Sequence, residues 1–576
     1  MKQSNTRLFA LLSILFITTL GYGQTSSRVQ PERNKDGSVK AASGKPVTVE
    51  MIQGELKEAL SVIEGSYVDS KTLNYNDVFK SSIDAMLHNL DPHSNYFDAK
   101  EFEQFRTDQS SRYYGIGATI GDLRGPDGKL IATYIKATFE GAPAHRAGLR
   151  YGDKIVEVNG TSMLGKPFSE VRNFLRGPQG TTAKLVVERL ATGRRETIEI
   201  VRDAVPQPSI GQIYMIRPGV GYMAMMGGFN QTTYQEFRHG FRELKAAGMQ
   251  QLVIDLRDNG GGLVSHAYKV ADAFLASGQT VFTQKGRMDS VSEQYASQNR
   301  APDKSPLVVL VNRNTASASE ILAGALQDHD RALIVGENTF GKGLVQNPFQ
   351  LEQGSMLLLT IAKYETPSGR VIQRDYSNGD LYNYYTNGGT LRDEAKDTAA
   401  PKGGETKTDT GRTVYGGGGI NPDVPIKPDT ITAERNRVQA RLANPIFAFA
   451  LDAVMGKIKG VEAYTIDRPI TFEYDLKASD FAITDTVYAA FKQYAADKYK
   501  ISPVQVDRER EFVQRLLRTE FVTAAYGSQT SYQVANEYDN QVLKAIDLLP
   551  QAKQLALQGE KARTVGSKQK SPGELN

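Results

Sequence analysis

From Thr48 the apolar positions fall at helical intervals: Ile52, Leu56, Leu60 and Ile63 share one helix face. Val78, Ile83, Met86, Leu87 and Leu90 predict a second helix, and Asp98-Ala-Lys-Glu101 has the spacing of a capping box that opens a third. Residues 47–111 therefore read as an N-terminal helical module. The pattern then turns to short β-branched runs. Residues 131–135, 154–158 and 185–188 predict strands, Thr192-Gly193 predicts a hairpin turn before 197–201, and short helices fit at 142–147 and 169–175. From 204 to about 380 strand and helix alternate. Runs at 220–224, 252–256, 307–311 and 332–335 are apolar throughout, as strands buried on both faces must be, and Tyr234, Phe237, Phe241 and Leu244 mark an intervening helix. This is the pattern of an α/β core, here assigned to 204–428.

The remaining segments lack that regularity. Residues 385–419 are rich in Gly, Thr, Lys and Asp and read as a flexible loop. Phe512, Val513, Leu516, Leu517 and Phe521 place a helical module at 429–560, and 561–576 reads as a disordered tail. At the other end Lys2 and Arg7 precede an apolar run from Leu8 to Leu20 that closes in Gly21-Tyr22-Gly23, the order of a secretory signal over 1–23. Residues 24–46 then form a Ser-, Lys-, Pro- and Gly-rich linker. The expectation is an exported, periplasmic protein; an uncleaved leader anchoring it in the inner membrane, facing the periplasm, is the alternative.

Composition narrows the chemistry. At 576 residues the chain has room for roughly three or four domains of about 150 residues each. With 40% apolar and 23% charged residues it is neither disordered nor a polytopic membrane protein. A net charge of +4 carries no electrostatic footprint for nucleic acid. The absence of cysteine excludes a disulfide framework, a thiolate metal site and a cysteine nucleophile. The six histidines include no His-Glu-x-x-His, and His88, His145, His239, His266 and His329 have no metal-ligand spacing, so neither metal nor cofactor is expected. His93 lies in the turn Asp91-Pro92-His93-Ser94 and reads as a packing residue rather than a catalytic one.

Two segments carry candidate chemistry. Asn312-Arg-Asn-Thr-Ala-Ser317-Ala-Ser-Glu320 follows a buried strand and leads into an apolar helical pattern, which puts Ser317 beside the free N–H groups of a helix's first turn. Ser317 or Ser319 as a plain helix cap is the competing reading. Gly336-Glu-Asn-Thr-Phe-Gly341-Lys342-Gly343 follows another buried strand, and a lysine neutralised by burial is the base available to a serine in this chain. A solvated loop lysine is the alternative. The same loop has P-loop spacing, with Asp255 as a mimic of a strand-end magnesium ligand. Gly343, standing where a hydroxyl belongs, and Pro348 both weaken that nucleotide-binding alternative.

Tyr114-Gly115-Ile116-Gly117-Ala118 resembles the carboxylate-binding loop of a PDZ domain, and the run from Gly141 through Ala147-Gly148-Leu149 and Gly152-Asp153-Lys154-Ile155 to Val158-Asn159-Gly160 resembles its long signature. Residues 112–203 are so assigned. Asp255-Leu-Arg-Asp-Asn-Gly-Gly-Gly262, Ala316-Ser-Ala-Ser-Glu-Ile321, Asp328, Gly336, Thr339-Phe-Gly-Lys-Gly343 and Val345-Gln346 occur in the order found in the carboxy-terminal processing peptidases, also called tail-specific proteases, and over 50–428 the chain resembles that family. The resemblance implies an α/β serine peptidase with an inserted PDZ domain that captures the free, apolar C-termini of polypeptides. It implies Ser317 as nucleophile, Lys342 as general base, Gln346 as the residue orienting that lysine, and an oxyanion hole of Ala318 N–H with Gly261 or Gly262. It gives Gly115, Ile116 and Gly117 the peptide carboxylate, and its serine-to-lysine spacing selects Ser317 over Ser319. Thr315 stands where many members have another serine. A non-catalytic PDZ scaffold on a protease fold is the alternative function.

Overall fold

The computed structural model describes residues 48–377, 381–386 and 403–569. The expected leader and linker lie outside the described residues, as do 387–402 of the expected loop and 570–576 of the expected tail. The described chain falls into two compact units that divide between Ala85 and Met86. In the first, Thr48 caps the helix Val49–Ser66 by accepting the Met51 N–H at 3.3 Å. The predicted apolar face is present, yet no residue of that helix is buried. The helix Tyr75–His88 crosses the division. No helix among the described residues is long and apolar enough to cross a membrane.

The second unit corrects the outline of the helical module. Asn95–Phe97 is a strand, paired antiparallel with Met356–Leu358, so this stretch belongs to a core sheet. The capping box follows as predicted: Asp98 Oδ1 accepts the Glu101 N–H at 2.8 Å and Glu101 Oε2 the Asp98 N–H at 3.1 Å, opening the helix Ala99–Gln109.

Arg112–Gly115 and Asp203–Pro206 pair antiparallel, so the chain enters and leaves the intervening residues through one two-stranded ribbon. Between them lies a six-stranded sheet in the order Ala118–Arg124, Leu130–Thr138, Lys154–Val158, Thr182–Glu188, Arg195–Val201, with Thr161–Ser162 added to Lys154–Val158. Ile116, Ile135, Leu149, Ile155, Val171 and Leu185 form its own core. The expected hairpin joins Glu188 to Arg195. Gly117 has φ +76°, and a Cβ there would stand 2.4 Å from that of Ala142, so the turn into the edge strand admits only glycine.

The α/β core is a six-stranded sheet: Gln212–Arg217, Val220–Ala224, Gln251–Asp255, Leu307–Val311, Leu333–Gly336 and Val424–Pro425. Only the first pair is antiparallel. Parallel strands this apolar need cover on both faces. The helices Thr233–Ala246, Val264–Asp272 and Ala318–Asp328 close one face through Phe237, Val270 and Leu322. The other is closed by the end of the chain, where Val542, Ala545, Leu549 and Ala552 pack on Val253, Val308 and Leu310.

The C-terminal helices thus divide their work. Those from Ala433–Val454 to Arg510–Asn536 have their own core around Phe449, Phe491, Leu517 and Phe521, whereas Asn540–Asp547 and Leu549–Gln569 complete the α/β core. The tail expectation is corrected as far as Gln569, where that last helix ends; Arg563 anchors it on the His329 carbonyl at 2.7 Å. The loop expectation is also partly corrected. Leu381–Thr386 is helical, and Glu405–Lys407 pairs with Thr413–Tyr415 in a hairpin held by Arg412 to Asp330 and Asp423, at 2.6 and 2.5 Å. Of the charges that read as a solvated loop, Arg412 is taken up by these ion pairs and Asp409 lies 2.9 Å from His329 and 3.1 Å from Arg563.

Candidate active site

Ser317 stands at the N-terminus of the helix Ala318–Asp328, directly after the strand Leu307–Val311 and its turn. Its backbone is at φ +58° and ψ −119°, a conformation outside the ordinary regions for a residue with a side chain. Such strain costs about 1–3 kcal/mol and persists only where the surroundings impose it. Here they do: Asn259 O accepts the Ala316 N–H at 3.0 Å, and Thr315, fully buried, donates its hydroxyl to Leu256 O at 2.8 Å. Ser319 is different in kind, since it is buried and donates its hydroxyl to Asn259 O at 3.1 Å.

Gly261 presses against this turn. A Cβ on it would lie 2.7 Å from both the Ala316 carbonyl oxygen and the Ser317 Cβ. Its N–H donates to Asn259 Oδ1 at 2.9 Å, which leaves Gly262, of the two glycines, as the candidate to join Ala318 in binding an oxyanion. Gly261 serves the site by closeness instead. Asp255, at the end of its strand, pairs with Arg257 at 2.6 Å and accepts from Tyr222 at 2.7 Å.

Lys342 follows the strand Leu333–Gly336 and precedes another strand, Leu344–Gln350. The nucleotide-binding alternative fails on that point, because a phosphate loop opens a helix. The loop's amides are committed elsewhere. Glu320, completely buried, accepts the Gly341 N–H at 2.7 Å, the Lys342 N–H at 2.8 Å, the Ser317 N–H at 2.8 Å and the Thr339 hydroxyl. One carboxylate thereby ties the serine turn to the lysine loop. On another side the Tyr364 hydroxyl lies 2.9 Å from the Ser317 carbonyl oxygen and 2.7 Å from that of Lys342.

The lysine amine is arranged with equal care. Lys342 Nζ donates to Gln346 Oε1 at 2.8 Å, and Gln346 Nε2 donates to the His93 carbonyl, which fixes the amide's orientation. Burial lowers the Lys342 pKa to about 8, against the upward pull of Asp91 and Glu320. His93 does not act on the serine turn: its ring packs edge-on against Phe340 and Tyr384, and Nε2 lies 2.8 Å from the Tyr384 hydroxyl. Burial, Lys342 and Arg374 hold it neutral, well below the usual histidine range. Asp91 accepts the His93 and Ser94 N–H groups at 2.8 Å each and shapes the turn.

Glu320 belongs to the motif quoted above, but its bonding role went unread. The signal was its position three residues after the helix cap, the spacing of a capping box. Tyr364 left no signal at all. Asp328, at the far end of the same helix, makes a fully buried pair with Arg370 at 2.6 Å. In the other candidate site the Ile116 and Gly117 carbonyls accept the Ala144 and Phe139 N–H groups at 2.7 and 3.1 Å, while Gly115 closes the entry ribbon opposite Asp203.

A partly exposed serine on a strained turn beside helix N–H groups, with a partly buried lysine on the adjoining loop, is an arrangement suited to acyl transfer. The family model of peptidase family S41 matches residues 219–381, and that of the PDZ domain residues 135–189. The chain is 34% identical over 300 residues to the carboxy-terminal-processing protease of Bartonella bacilliformis, covering 51% of this chain and 67% of that one. It is 32% identical over 317 residues to the carboxyl-terminal-processing protease of Synechocystis, covering 54% and 72%. Among solved structures, a photosystem II D1 C-terminal processing protease shares 27% identity over 66% of this chain and 94% of that one, with a TM-score of 0.33. The chain belongs to peptidase family S41, as a serine-type carboxy-terminal processing protease with an inserted PDZ domain.

Proposed function

We propose that this protease works through Ser317 and Lys342. In this reading the neutral Lys342 amine takes the Ser317 proton as Oγ attacks the scissile carbonyl, and the Ala318 and Gly262 N–H groups stabilise the oxyanion. The lysine then returns the proton to the leaving amine, and water hydrolyses the acyl-enzyme. Gln346 holds Nζ toward the reaction. The observation that carries the reading is the Glu320 carboxylate, whose bonds to Ser317, Gly341 and Lys342 gather the two loops into one unit.

The substrate is an exported or unfolded polypeptide with a free apolar C-terminus, its carboxylate on the amides around Gly115, Ile116 and Gly117 and its backbone added to the edge strand Ala118–Arg124. The basic, apolar, small-residue order of residues 2–23 supports export to the periplasm. The test is cleavage of an unfolded protein with a free apolar C-terminus by the parent and by Ser317→Ala. Cleavage by the parent alone is expected. Equal rates would refute the nucleophile assignment, and no cleavage by a folded parent would favour a scaffold.

A further inference from the structure

The strand Ala118–Arg124 lies at the edge of its sheet, with Leu130–Thr138 as its only neighbour in the strand order. Phe139 N–H reaches Gly117 O at 3.1 Å, and Gly125 N–H reaches Lys129 O at 2.8 Å, so the residues at both ends of this run face the neighbouring strand. The register shifts skip residues of the neighbour and none of the edge strand. By strict alternation the backbone N–H and C=O groups of Ala118, Ile120, Asp122 and Arg124 then point away from the sheet. Four rungs are on offer to an added strand.

The fourth is already taken. Asn444, on the helix Ala433–Val454, accepts the Arg124 N–H through Oδ1 at 2.7 Å and donates Nδ2–H to the Arg124 carbonyl at 2.6 Å. A primary amide offers one donor and one acceptor side by side, the pair that a residue of an added strand would present. The helix is fixed there by more than this contact: Phe447, Ala448 and Leu451 pack with Leu123 and Tyr134 in one buried cluster, and the Lys136 ammonium lies 4.6 Å from the centre of the Phe447 ring.

We propose that Asn444 is a length-determining residue for tail capture: its amide occupies the backbone rung of Arg124 and ends the added strand after the rung of Asp122. The proposal rests on the tail-capture reading above. With the carboxylate on the loop, the last residue of the tail faces Ala118, and each rung consumes two residues, so pairing stops after about the fifth residue from the C-terminus, whereas a free Arg124 would meet about the seventh. Beyond that point the substrate must leave the edge.

The experiment measures binding of N-terminally fluorescein-labelled peptides to the full chain carrying Ser317→Ala, by anisotropy. The peptides share one apolar C-terminal sequence and have four, six, eight and ten residues, as free acids and as amides. With Asn444 present, affinity should rise to six residues and stay level. With Asn444→Ala, the four- and six-residue peptides should bind as before, while the eight-residue peptide gains about three- to tenfold from the added hydrogen bonds. N-methylation provides a check that needs no substitution at Asn444: it should weaken binding at the fifth residue from the C-terminus and change nothing at the seventh. Affinity that keeps rising past six residues with Asn444 in place, sensitivity to N-methylation at the seventh residue, or identical length dependence in a folded Asn444→Ala chain would overturn the proposal. Acids and amides binding equally would overturn the tail-capture reading and this proposal with it; a preference for acids without the length effect would overturn this proposal alone.

Discussion

The turn at Ser317, proposed to cleave, and the edge strand Ala118–Arg124, proposed to recognise, handle backbone polarity in opposite ways. Around Ser317 and Lys342 nearly every nearby polar group has a partner fixed in advance: Glu320 takes four donors, Asn259 braces both Ala316 and Gly261, and Tyr364 spans two carbonyls. Along Ala118–Arg124 the chain presents backbone groups outward instead, and closes them only at Arg124. A catalytic centre gains by having its order established before substrate arrives, because reorganisation would otherwise add to the barrier. A docking edge gains by leaving bonds unmade until the ligand makes them. Substitutions on the first side should therefore damage turnover, and changes to the substrate's tail should damage capture.

The largest effect is expected at Lys342. Lys342→Arg keeps a positive charge but places at the site a group that does not deprotonate in proteins, so cleavage should fall by about a thousandfold or more. Parent kcat should climb with pH through the lysine's lowered value of about 8 and then level off, because the base works only after losing its proton. An arginine variant that cleaves within tenfold of the parent, or a parental rate that falls between pH 7 and 9, would break the assignment of Lys342 as base.

Next comes the brace. Glu320→Gln retains the shape of the side chain but turns one acceptor oxygen into a donor facing N–H groups that need an acceptor. Burial raises the Glu320 pKa, but its four donors oppose that rise, and it is the acceptor-only form that they require. Turnover should drop about a hundredfold with KM little changed, since the defect lies in the alignment of Ser317 with Lys342. The opposite split, with KM raised and kcat intact, would show that Glu320 serves the fold and not the turn.

How much of this was legible beforehand follows the same division. The parallel strands, the PDZ signature and both motif loops were readable, because buried runs and glycine-fixed turns are local properties of sequence. Ser317 could be told from Ser319 only through the family's spacing; the structure supplies the physical difference, a strained, partly exposed turn against a buried hydroxyl that is already donating. Contacts between distant segments left no local trace. Tyr364 reaching Ser317, Asn444 reaching Arg124 and the last helices sealing the core sheet are long-range pairings that no periodicity announces. Charge-rich stretches misled for the opposite reason: residues 405–415 look solvated in sequence but form a hairpin in which Arg412 reaches Asp330 and Asp423 and Asp409 reaches His329 and Arg563.

On the recognition side, amidating a substrate's C-terminus deletes the charge that the loop's amides would hold. Charge-assisted hydrogen bonds contribute about 1.5–3 kcal/mol, so apparent affinity should weaken roughly tenfold to a hundredfold, with kcat unchanged at saturation. Equal KM for acid and amide would erase the contrast between the two regions, since the edge would then be doing nothing that depends on the terminus.

The smallest effect concerns stability, and it separates a catalytic lysine from a structural one. A lysine whose folded pKa lies below its unfolded value binds its proton more weakly in the fold, so the unfolded chain carries more protons between about pH 8 and 10.5 and stability rises with pH across that window. Below about pH 8 the cost of the strained ammonium is fully present. Lys342→Met fills similar space without that charge, and it should stabilise the chain at pH 7 by about 1–2 kcal/mol while removing activity; the Gln346 amide left without its donor offsets part of the gain. The gain should shrink toward zero as pH approaches 10.5. The measurement is urea unfolding of parent and variant at pH 7 and pH 10. A variant less stable than the parent at both would mean that the ammonium is a structural ion-pair partner of Asp91 and Glu320, and the ordered catalytic side of the molecule would then owe its order in part to Lys342 itself.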